Sequence, residues 1–400
     1  MKRFLYLVSE QWPTHRADMA VLFGKYLPRH GVFSDIVTER DAEQKNTWQG
    51  GRAILCRPFR SKAVMRVTKF LYQTSILLRR IMFAFKPEYD AVQVRDMIWI
   101  ALVALLVCKF KKIPFYYWLS YPHSEGQIDR AKVRGVKAGV KFFGPLIQGY
   151  AGQYLLYRWI LPHADHVFVQ TPVMQELLEA KGVSGAKMTP VLMGVDIEAL
   201  QTLPPPIDDQ MLIGKRALVY LGTLDRARKI EVLFEMMALL KEKIPDALLV
   251  LVGDTEDAEH RAWLQSEVKR LDVEAQVLWT GWLPTNEAWR YVAAAEIGLS
   301  PIPRGYLLDM GSPTKAIEYM AIGIPTVMND NPDQAKCAME SGSGICVPLT
   351  ADKFSQACVE LLSDAEKRRI MSKRGQAYVM ANRSYQQIAK MLADKYVSLS

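Results

Sequence analysis

The stretch GSPTKAIEYMAIGIPTVMND, residues 311–330, is the most informative part of the chain because it joins a loop, a helix start and a buried strand. Pro313 follows the loop, and proline fits the first turn of a helix because its missing N–H has no partner there. The free N–H groups and positive dipole end of that helix favour a phosphate, Lys315 adds a cation, and Glu318 follows within one turn. One segment can thus bind the diphosphate and the ribose of a nucleotide sugar. The alternative is an ordinary helix–strand unit with a surface Lys and Glu.

Length and composition indicate a two-domain globular protein. The chain has 400 residues, of which 50% are hydrophobic and 23% charged, and single cores stop growing at about 250–300 residues. Five scattered cysteines without CxxC spacing favour a reducing cytoplasm. The N-terminal apolar run is interrupted too early for a signal peptide, and the run 97–108 is shorter than the roughly 20 residues that span a bilayer. We expect no membrane-spanning segment, and a helix at 97–108 that is buried under the first sheet.

Charge is unevenly distributed along the chain. Residues 1–200 contain 28 Lys and Arg against 16 Asp and Glu, whereas the whole chain contains 51 against 42. Two runs, 44–87 and 130–164, contain ten and six cations and no acid, interleaved with aromatic and aliphatic residues. Cations beside exposed apolar groups suit a protein that binds an anionic lipid surface, at about 1 kcal/mol per cation. We therefore expect an anionic membrane surface as a partner, and no nucleic acid, because no nucleic-acid-binding module is recognisable.

Strand-like apolar runs alternate with helical patterns along the whole chain, which is typical of parallel sheets covered by helices. The predicted strands are 4–8, 35–38, 53–56, 91–94, 115–118, 167–170 and 189–192, then 217–222, 247–253, 277–280, 297–300, 325–328 and 344–347. Between the two sets, LPPPIDDQ at 203–210 favours a stiff connector. The prediction is an α/β protein with two doubly wound Rossmann-like domains, 1–203 and 216–383, joined by a linker at 204–215. Because ligands bind outside the carboxyl ends of such strands, we expect the active site in a cleft between the domains.

The second domain opens with YLGTLDRARKIEVL at 220–233, in which a strand ends at Gly222 and a basic loop precedes a helix. Glycine at a strand tip lets a ligand approach the backbone, and guanidinium groups bind phosphate oxygens in pairs. Arg226 and Arg228 are therefore candidate diphosphate ligands. The alternative is a basic helix start, which the helix dipole disfavours by up to about 1 kcal/mol per charge unless an anion lies nearby.

Several segments together resemble a known family. YLGTLDRARKI, ALLVLVGD, VLWTGWLP, AAAEIGLSPIP, SPTKAIEYMAIGIPTV and NDNPDQ occur in the order seen in the nucleotide-binding domain of retaining glycosyltransferases of family 4, which have the GT-B fold. In the first half, LPHADHVFVQTPVMQELL and VLMGVDIEAL resemble the segments before the hinge of that family. The resemblance implies transfer of a sugar from a nucleoside diphosphate to an acceptor, with retained anomeric configuration and without a bound metal. It also implies that a final helix, within 384–400, crosses back onto the first domain.

The resemblance assigns donor-binding roles in the second domain residue by residue. Glu318 matches the second glutamate of the family's paired-glutamate motif and is expected to bind the ribose hydroxyls. Arg228 matches the basic residue that holds the diphosphate. The expected donor site consists of Gly222, Thr223, Arg226, Arg228, Gly311, Ser312, Pro313, Thr314, Lys315 and Glu318.

Two positions depart from the family's pattern. Met310 stands where the family has the first glutamate of the pair, and Thr223 stands where it has an arginine. The neighbouring Asp309 is a candidate to replace the lost carboxylate, and Arg226 is a candidate to replace the lost cation. Asp309 and Glu318 are therefore the candidate catalytic residues of the second domain.

The first domain is expected to supply acceptor contacts. The sequence SYPHSEG at 120–126 follows a predicted strand, so His123 and Glu125 would project from a strand tip into the cleft. His123 loosely matches the family's first-domain histidine near the donor sugar and is the third candidate catalytic residue. In the loop after the first strand, Thr14, His15 and Arg16 are candidates for contacts with the donor or the acceptor. The alternatives are a hydrogen-bonded structural histidine and a plain helix cap from Thr14.

No metal site and no cofactor are predicted. His163 and His166 form an HxxH pair without a third ligand nearby, so we interpret them as structural, and no DxD motif is present. The nucleotide sugar is therefore expected as a co-substrate, and no cofactor is expected beside it.

These observations favour a cytoplasmic glycosyltransferase at the inner face of the cell membrane. It would move a sugar, expected to be a hexose, from a UDP- or GDP-sugar to a lipid-linked or anionic glycan acceptor in polysaccharide or glycolipid biosynthesis. Two alternatives stay open. One is a GT-B-shaped epimerase that converts an NDP-sugar without an acceptor, and the other is a non-catalytic nucleotide- or membrane-binding partner in a glycan assembly complex.

Overall fold

The chain divides into two compact units. The computed structural model describes residues 1–14, 16–40, 48–57, 61–86 and 88–399. Unit 1 comprises Met1–Leu192 and Tyr385–Ser400, and unit 2 comprises Met193–Ser384. The division therefore falls before the predicted connector at 203–210. The reason is local packing, because the Met193 N–H donates to the Ser312 hydroxyl at 3.1 Å and Val195 forms a β-bridge with Ser384.

Each unit is built on one parallel sheet. The strands are β1 (Lys2–Leu7), β2 (Val32–Glu39), β3 (Ala53–Cys56), β4 (Ala91–Arg95), β5 (Phe115–Leu119), β6 (His166–Val169), β7 (Met188–Pro190), β8 (Arg216–Leu221), β9 (Ala247–Val252), β10 (Val277–Gly281), β11 (Ile297–Ser300), β12 (Thr326–Asn329) and β13 (Gly344–Val347). Within the described residues, the order is β3-β2-β1-β4-β5-β6-β7 in unit 1 and β10-β9-β8-β11-β12-β13 in unit 2. The predicted strands are confirmed, with ends that shift by a few residues, because each is an apolar run flanked by turn residues.

Helices lie between most pairs of successive strands and also follow the last strand. They are α1 (Lys62–Leu77), α2 (Ile98–Lys111), α3 (His123–Arg134), α4 (Val140–Leu155), α5 (Leu161–His163), α6 (Pro172–Glu179), α7 (Ile197–Gln201), α8 (Glu231–Leu240), α9 (Ala258–Arg270), α10 (Thr285–Ala293), α11 (Tyr306–Asp309), α12 (Thr314–Ile322), α13 (Pro332–Ser341), α14 (Ala351–Ser363), α15 (Ala365–Tyr378) and α16 (Tyr385–Ser398). Stretches with π-helical hydrogen bonds are Asp18–Tyr26, Leu78–Met82, Leu156–Ile160 and Val379–Arg383.

The final helix belongs to unit 1. On α16, Tyr396 packs against Phe4 and Phe168, with ring centroids 4.5 and 4.9 Å apart. The Tyr396 hydroxyl also donates to the Gln93 side-chain oxygen at 2.6 Å. These contacts fix the end of the chain to the sheet of its first half.

Helix α2 differs from the predicted helix at 97–108, which we expected to be buried. Ile100 and Ala104 are buried, whereas Trp99, Leu106 and Phe110 are exposed. An apolar run without a polar face shows no periodicity that would tell a buried face from an exposed one. No helix among the described residues combines the length and the hydrophobicity that a bilayer span requires.

Unit 2 is covered by helices on both faces of its sheet. Leu218 and Tyr220 of β8 pack with residues of α8 and α14, whereas Ala217 and Val219 pack with residues of α10 and α12. Since successive strand residues point to opposite faces, a continuous apolar strand requires a core on each side. The doubly wound α/β prediction is therefore confirmed.

The strand order of unit 2 reverses between β8 and β11, which makes this the topological switch point. The Tyr319 hydroxyl accepts a hydrogen bond from the Leu221 N–H at 2.7 Å and donates to the Leu299 carbonyl at 3.3 Å. A Cβ at Gly298 would lie 2.3 Å from the Tyr319 ring, so glycine there lets α12 approach the sheet. Helix α12 is thereby held beside the carboxyl end of β8.

Candidate active site

The start of α12 lies next to the end of β8. Pro313 precedes the helix in an extended conformation, so the first N–H groups of α12 are those of Thr314 and Lys315. The Lys315 ammonium lies 5.3 Å from the centre of the Tyr220 ring. Gly222 has a φ of +136°, and a Cβ there would lie 2.6 Å from Lys315 Cε. Glycine at the strand tip therefore leaves the space that the lysine side chain occupies.

Burial shifts the pKa values of Lys315 and Glu318 toward each other. The pKa of Lys315 falls to about 7, because of burial and then of the nearby Arg228 cation. The pKa of Glu318 rises to about 7 through burial, which the attraction of Lys315 only partly offsets. A bound anion would stabilise the ammonium form of Lys315, so this group is suited to a phosphate.

A cavity of about 220 Å³ connects the end of β8 with α12. Gly222 and Glu318 both line it, together with Gly253, Trp282 and Trp289. The buried indole N–H of Trp289 has no hydrogen-bond partner among the described residues. Sequence reasoning missed both tryptophans, although Trp282 lies two positions after the predicted strand 277–280 and could have been found by that position.

The loop before α12 is held by hydrogen bonds within unit 2. The Ser312 hydroxyl donates to the Asp333 carboxylate at 2.8 Å and accepts from the Met193 N–H and the Arg383 guanidinium. The Gly311 N–H donates to the Leu308 carbonyl at 3.2 Å. The Ser312 side chain therefore fixes the shape of the loop, whereas the N–H groups at the start of α12 face outward from the helix end.

Asp309 lies in an ion pair. Its two carboxylate oxygens accept from Arg304 at 2.9 and 3.1 Å, and Arg304 also contacts Asp330 at 3.2 Å. Met310, at the position of the family's first glutamate, is buried. The carboxylate expected to replace that glutamate is thus neutralised by an arginine five positions earlier.

Arg226 and Arg228, the two cations expected to bind the diphosphate, have different surroundings in the loop after β8. Arg228 is half-buried and close enough to Lys315 to lower the pKa of that lysine. Arg226 is exposed and pairs with Asp257 at 3.2 Å. The Thr223 carbonyl accepts from the Tyr220 hydroxyl at 2.9 Å. The structure therefore brings Arg228 and Lys315 together and turns Arg226 toward α9.

In unit 1, His123 lies beside a carboxylate that sequence reasoning missed. Asp96 directly follows β4, and its Oδ2 lies 3.9 Å from His123 Nε2. The carboxylate accepts from the N–H of Ser120 at 2.8 Å and also from its hydroxyl, and burial raises the pKa of Asp96. Asp96 has a φ of +56°, a conformation that costs a non-glycine residue about 1–3 kcal/mol. The strand order of unit 1 reverses between β1 and β4. The signal that could have identified Asp96 is an acid two positions after the predicted strand 91–94, beside that reversal.

The loop after β1 joins the same edge of the sheet. Arg95 is fully buried and pairs with Glu10 at 2.9 Å and Asp18 at 2.8 Å. Arg16 is exposed and lies 3.9 Å from Glu10, and the Arg16 N–H donates to the Thr14 hydroxyl at 3.2 Å. His15 lies outside the described residues. Arg16 therefore lies close to the edge at which β1 and β4 end.

Glu125 is engaged inside unit 1. Its carboxylate accepts from Lys181 at 3.0 Å and from the Tyr157 hydroxyl. Lys181 in turn lies 4.0 Å from the centre of the Tyr157 ring. Glu125 is thus buried in a network of its own, whereas His123, two residues earlier, faces the Asp96 carboxylate.

No group of three or more His, Cys, Asp or Glu side chains with the spacing of a metal site occurs in the described part of the chain. His163 Nδ1 bonds to the Trp159 carbonyl and His166 Nε2 bonds to the Thr189 hydroxyl, both at 2.8 Å. Burial lowers the pKa of His166 to about 4. Both histidines of the HxxH pair therefore have structural partners.

Two family profiles match consecutive parts of the chain. The family described as "Glycosyltransferase Family 4" matches residues 19–199, and the family described as "Glycosyl transferases group 1" matches residues 210–378. A relative in Corynebacterium glutamicum, a GDP-mannose-dependent monoacylated alpha-(1-6)-phosphatidylinositol monomannoside mannosyltransferase, is 28% identical over 154 residues. That match covers 38% of this chain and 39% of the relative, so the chain matches less than half of that protein's length.

Solved structures match the chain over its whole length. Sucrose-phosphate synthase from Thermosynechococcus elongatus gives a TM-score of 0.70 at 18% identity and covers 100% of this chain and 99% of its own. HepE from Anabaena, in complex with UDP, gives a TM-score of 0.69 at 14% identity and covers 100% of both chains. Its complex with UDP-glucose gives 0.68 at the same identity and coverage. At these identities the likeness shows the fold alone.

Proposed function

We propose that this chain, which belongs to the group 1 and family 4 glycosyltransferases with the GT-B fold, transfers a hexose from an NDP-sugar to a lipid-linked or glycan acceptor. The observation that carries the proposal is the cluster of Gly222, Lys315 and Glu318 at the switch point of unit 2, where α/β sheets bind their ligands. Anomeric retention, independence of metal and a place in polysaccharide or glycolipid biosynthesis are parts of the same proposal.

The donor is proposed to lie along the start of α12. Its diphosphate would accept hydrogen bonds from the N–H groups of Thr314 and Lys315 and interact with the Arg228 cation. Its ribose would donate to the Glu318 carboxylate, and its base would stack in the cavity that Trp282 lines. The UDP and UDP-glucose complexes of a protein with the same fold support this kind of donor.

The proposed reaction replaces one bond at the anomeric carbon with another. The bond from that carbon to the diphosphate oxygen breaks, and the nucleoside diphosphate leaves with the electron pair. The oxygen of an acceptor hydroxyl bonds to the same face of the carbon and releases its proton. Negative charge grows on the leaving diphosphate, and N–H groups already aimed at it, with Lys315, would stabilise that charge. His123 is proposed to bind the reacting sugar, and its Nε2 lies 3.9 Å from the Asp96 carboxylate.

The proposal includes peripheral association with an anionic membrane. Trp99, Leu106 and Phe110 are exposed on α2, and Phe143 and Ile147 are exposed on the neighbouring α4. The acid-free runs 44–87 and 130–164 supply cations around these helices, although residues 44–47, 58–60 and 87 lie outside the described residues. Exposed apolar groups among cations favour a lipid surface over water.

Titration of the purified protein with UDP, GDP, UDP-glucose and GDP-mannose tests the donor site. Glu318→Ala is expected to raise the dissociation constant of the preferred nucleotide by about tenfold or more, because a hydrogen bond to a charged group is lost. Arg228→Ala is expected to weaken nucleotide binding, because it removes the cation proposed to interact with the diphosphate. Glu235→Ala, which changes an exposed glutamate on α8, is the matched control and should bind like the wild type.

Analysis of the reaction products distinguishes the proposed glycosyltransferase from the two alternatives. Transfer to a lipid-linked or glycan acceptor, undiminished by a chelator, supports the proposal. An epimerised sugar from donor alone would instead support an epimerase, and nucleotide binding without transfer across an acceptor panel would support a non-catalytic role. Wild-type nucleotide affinity in Glu318→Ala would remove the assignment on which the proposal depends.

A further inference from the structure

Unit 1 contains a cavity of about 330 Å³, and the proposed function assigns a role to only two of its lining residues, His123 and Asp96. It is lined by residues that follow β1, β4 and β5, including Asp96 and His123, and by residues of α1, α2, α3 and α4. Its volume lies in the range of about 300–1,000 Å³ that is typical of small-molecule sites. The Asp96 carboxylate is satisfied by Ser120, so it does not by itself require a cation in the cavity.

Two cations line the cavity from one face of α1, at positions i and i+3. The Lys69 ammonium donates to the Ser9 carbonyl at 2.6 Å and lies 4.0 Å from Glu39. Arg66 is exposed, and in the part of the chain that the structure describes no carboxylate lies within ion-pair distance of its guanidinium. Burial lowers the pKa of Lys69, so an anion in the cavity would stabilise its charged form.

The rest of the lining is largely apolar and continues onto the surface. Phe70 of α1 and Ile98 and Trp99 of α2 line the cavity. Trp99, Leu106 and Phe110 are spaced at i, i+7 and i+11, which places them on one side of α2, and all three are exposed. This stripe runs for about 17 Å along the helix. Because Trp99 also lines the cavity, the stripe gives a hydrocarbon chain that leaves the cavity an exposed apolar path along α2.

We propose that this cavity binds the phosphorylated end of a single-chain lipid, with the phosphate or diphosphate against Arg66 and Lys69. The first carbons of the chain lie against Phe70, Ile98 and Trp99. The inference rests on the proposed function in one respect, because it identifies that lipid as the carrier of the acceptor. Anion and hydrocarbon are recognised side by side, and neither free phosphate nor an uncharged lipid would satisfy both parts of the lining.

Calorimetric titration with farnesyl phosphate, without nucleotide sugar, tests the proposal. The wild type is expected to bind farnesyl phosphate more tightly than farnesol or inorganic phosphate. Arg66→Ala is expected to weaken binding by about tenfold or more, because a charged hydrogen-bond donor is lost. Trp99→Ala is expected to weaken binding several-fold, because apolar contact area is lost.

Two matched variants separate the cavity from the general surface. Arg79→Ala removes an exposed cation of the π-helical stretch that continues α1, and Arg79 does not line the cavity. Trp159→Ala removes a tryptophan that is 51% exposed, against 48% for Trp99. Both controls should bind farnesyl phosphate like the wild type. Equal losses in Arg66→Ala and Arg79→Ala would overturn the proposal, as would equal affinity for inorganic phosphate or for farnesol.

Failure of this inference can be told apart from failure of the proposed function. Arg66→Ala should leave nucleotide affinity unchanged, and Glu318→Ala should leave farnesyl phosphate affinity unchanged. Nucleotide binding without cavity-dependent lipid binding would remove the lipid site alone. Lipid binding that depends on Arg66, without nucleotide binding, would remove the donor assignment and its link to an acceptor.

Discussion

Lys315 and Glu318 lie three positions apart on α12, and burial moves the pKa of each to about 7. Below its pKa, Lys315 is an ammonium group that attracts phosphate, and above it the lysine is neutral. Glu318 depends on pH in the opposite way. The carboxylate, which is the form that would accept hydrogen bonds from the ribose hydroxyls, exists above its pKa. As the pH rises, the two titrations therefore change nucleotide affinity in opposite directions and partly cancel in the wild type. The effect of Lys315 must be measured in a variant that lacks the Glu318 carboxyl group.

We expect the affinity of Glu318→Gln for a nucleotide sugar to fall as the pH rises toward neutral, because Lys315, whose pKa is about 7 beside Glu318 and lower without that carboxylate, loses its proton. Adding Lys315→Arg should abolish that fall, since arginine stays protonated. The measurement is the dissociation constant of the preferred nucleotide sugar, whose diphosphate is esterified at both ends. Parallel pH profiles for the single and double variants would contradict the titration of Lys315.

Two predicted site carboxylates have protein partners instead. Asp309 is paired with Arg304, which is five positions away and could have been anticipated as a local partner. Glu125 is paired with Lys181, which is 56 positions away. Residue type and strand-tip position predict where a carboxylate lies, but the charge left over for a ligand depends on partners that only folding brings near.

At the scale of elements, a buried ion pair joins three segments of unit 2. Arg383, at the end of the π-helical stretch before α16, donates to Asp333 of α13 and to the Ser312 hydroxyl of the loop before α12. Arg383 is 1% exposed and the Asp333 carboxylate is also buried. The Arg383 carbonyl accepts from the Val195 N–H at 2.8 Å, so the same residue also holds the segment at which the chain enters unit 2.

We expect Arg383→Leu to reduce the free energy of unfolding by about 3 kcal/mol or more, because it leaves the Asp333 charge buried and unpaired. The double variant Arg383→Leu with Asp333→Leu should recover much of that loss. Arg270→Leu breaks the exposed pair with Glu267 and, as the control, should change stability by less than about 1 kcal/mol. Urea unfolding measures all three, and equal effects of Arg383→Leu and Arg270→Leu would remove the assigned role of the buried pair.

At the scale of the whole molecule, the exposed apolar side chains are unevenly distributed between unit 1 and unit 2. Helices α2 and α4 of unit 1 expose several large apolar residues, and the cations of the acid-free runs belong to the same unit. In unit 2 exposed apolar residues such as Met339 lie on helices that also contain acids. The membrane proposal therefore belongs to unit 1 alone.

We expect the wild type to co-sediment with anionic vesicles, and binding to weaken with salt because the attraction is electrostatic. Ile147→Glu should reduce binding several-fold, because it places an acid on the exposed face of α4. Met339→Glu makes the same kind of change in unit 2, at a residue 79% exposed against 67% for Ile147, and should bind normally. Equal binding to neutral vesicles, or equal losses in both variants, would contradict the proposal.

The amino-acid sequence by itself determined the parallel α/β architecture, because each strand is an apolar run with turn residues at its ends, and such runs are local. It also located the glycine, lysine and glutamate of the donor cluster, since strand tips and helix starts are local features. Tertiary structure alone decided which polar groups keep their charge for a ligand, through partners such as Lys181 and Arg383 that lie far away along the chain. It also decided that Asp96 faces His123 and that one side of α2 is exposed, because both depend on neighbouring elements rather than on periodicity.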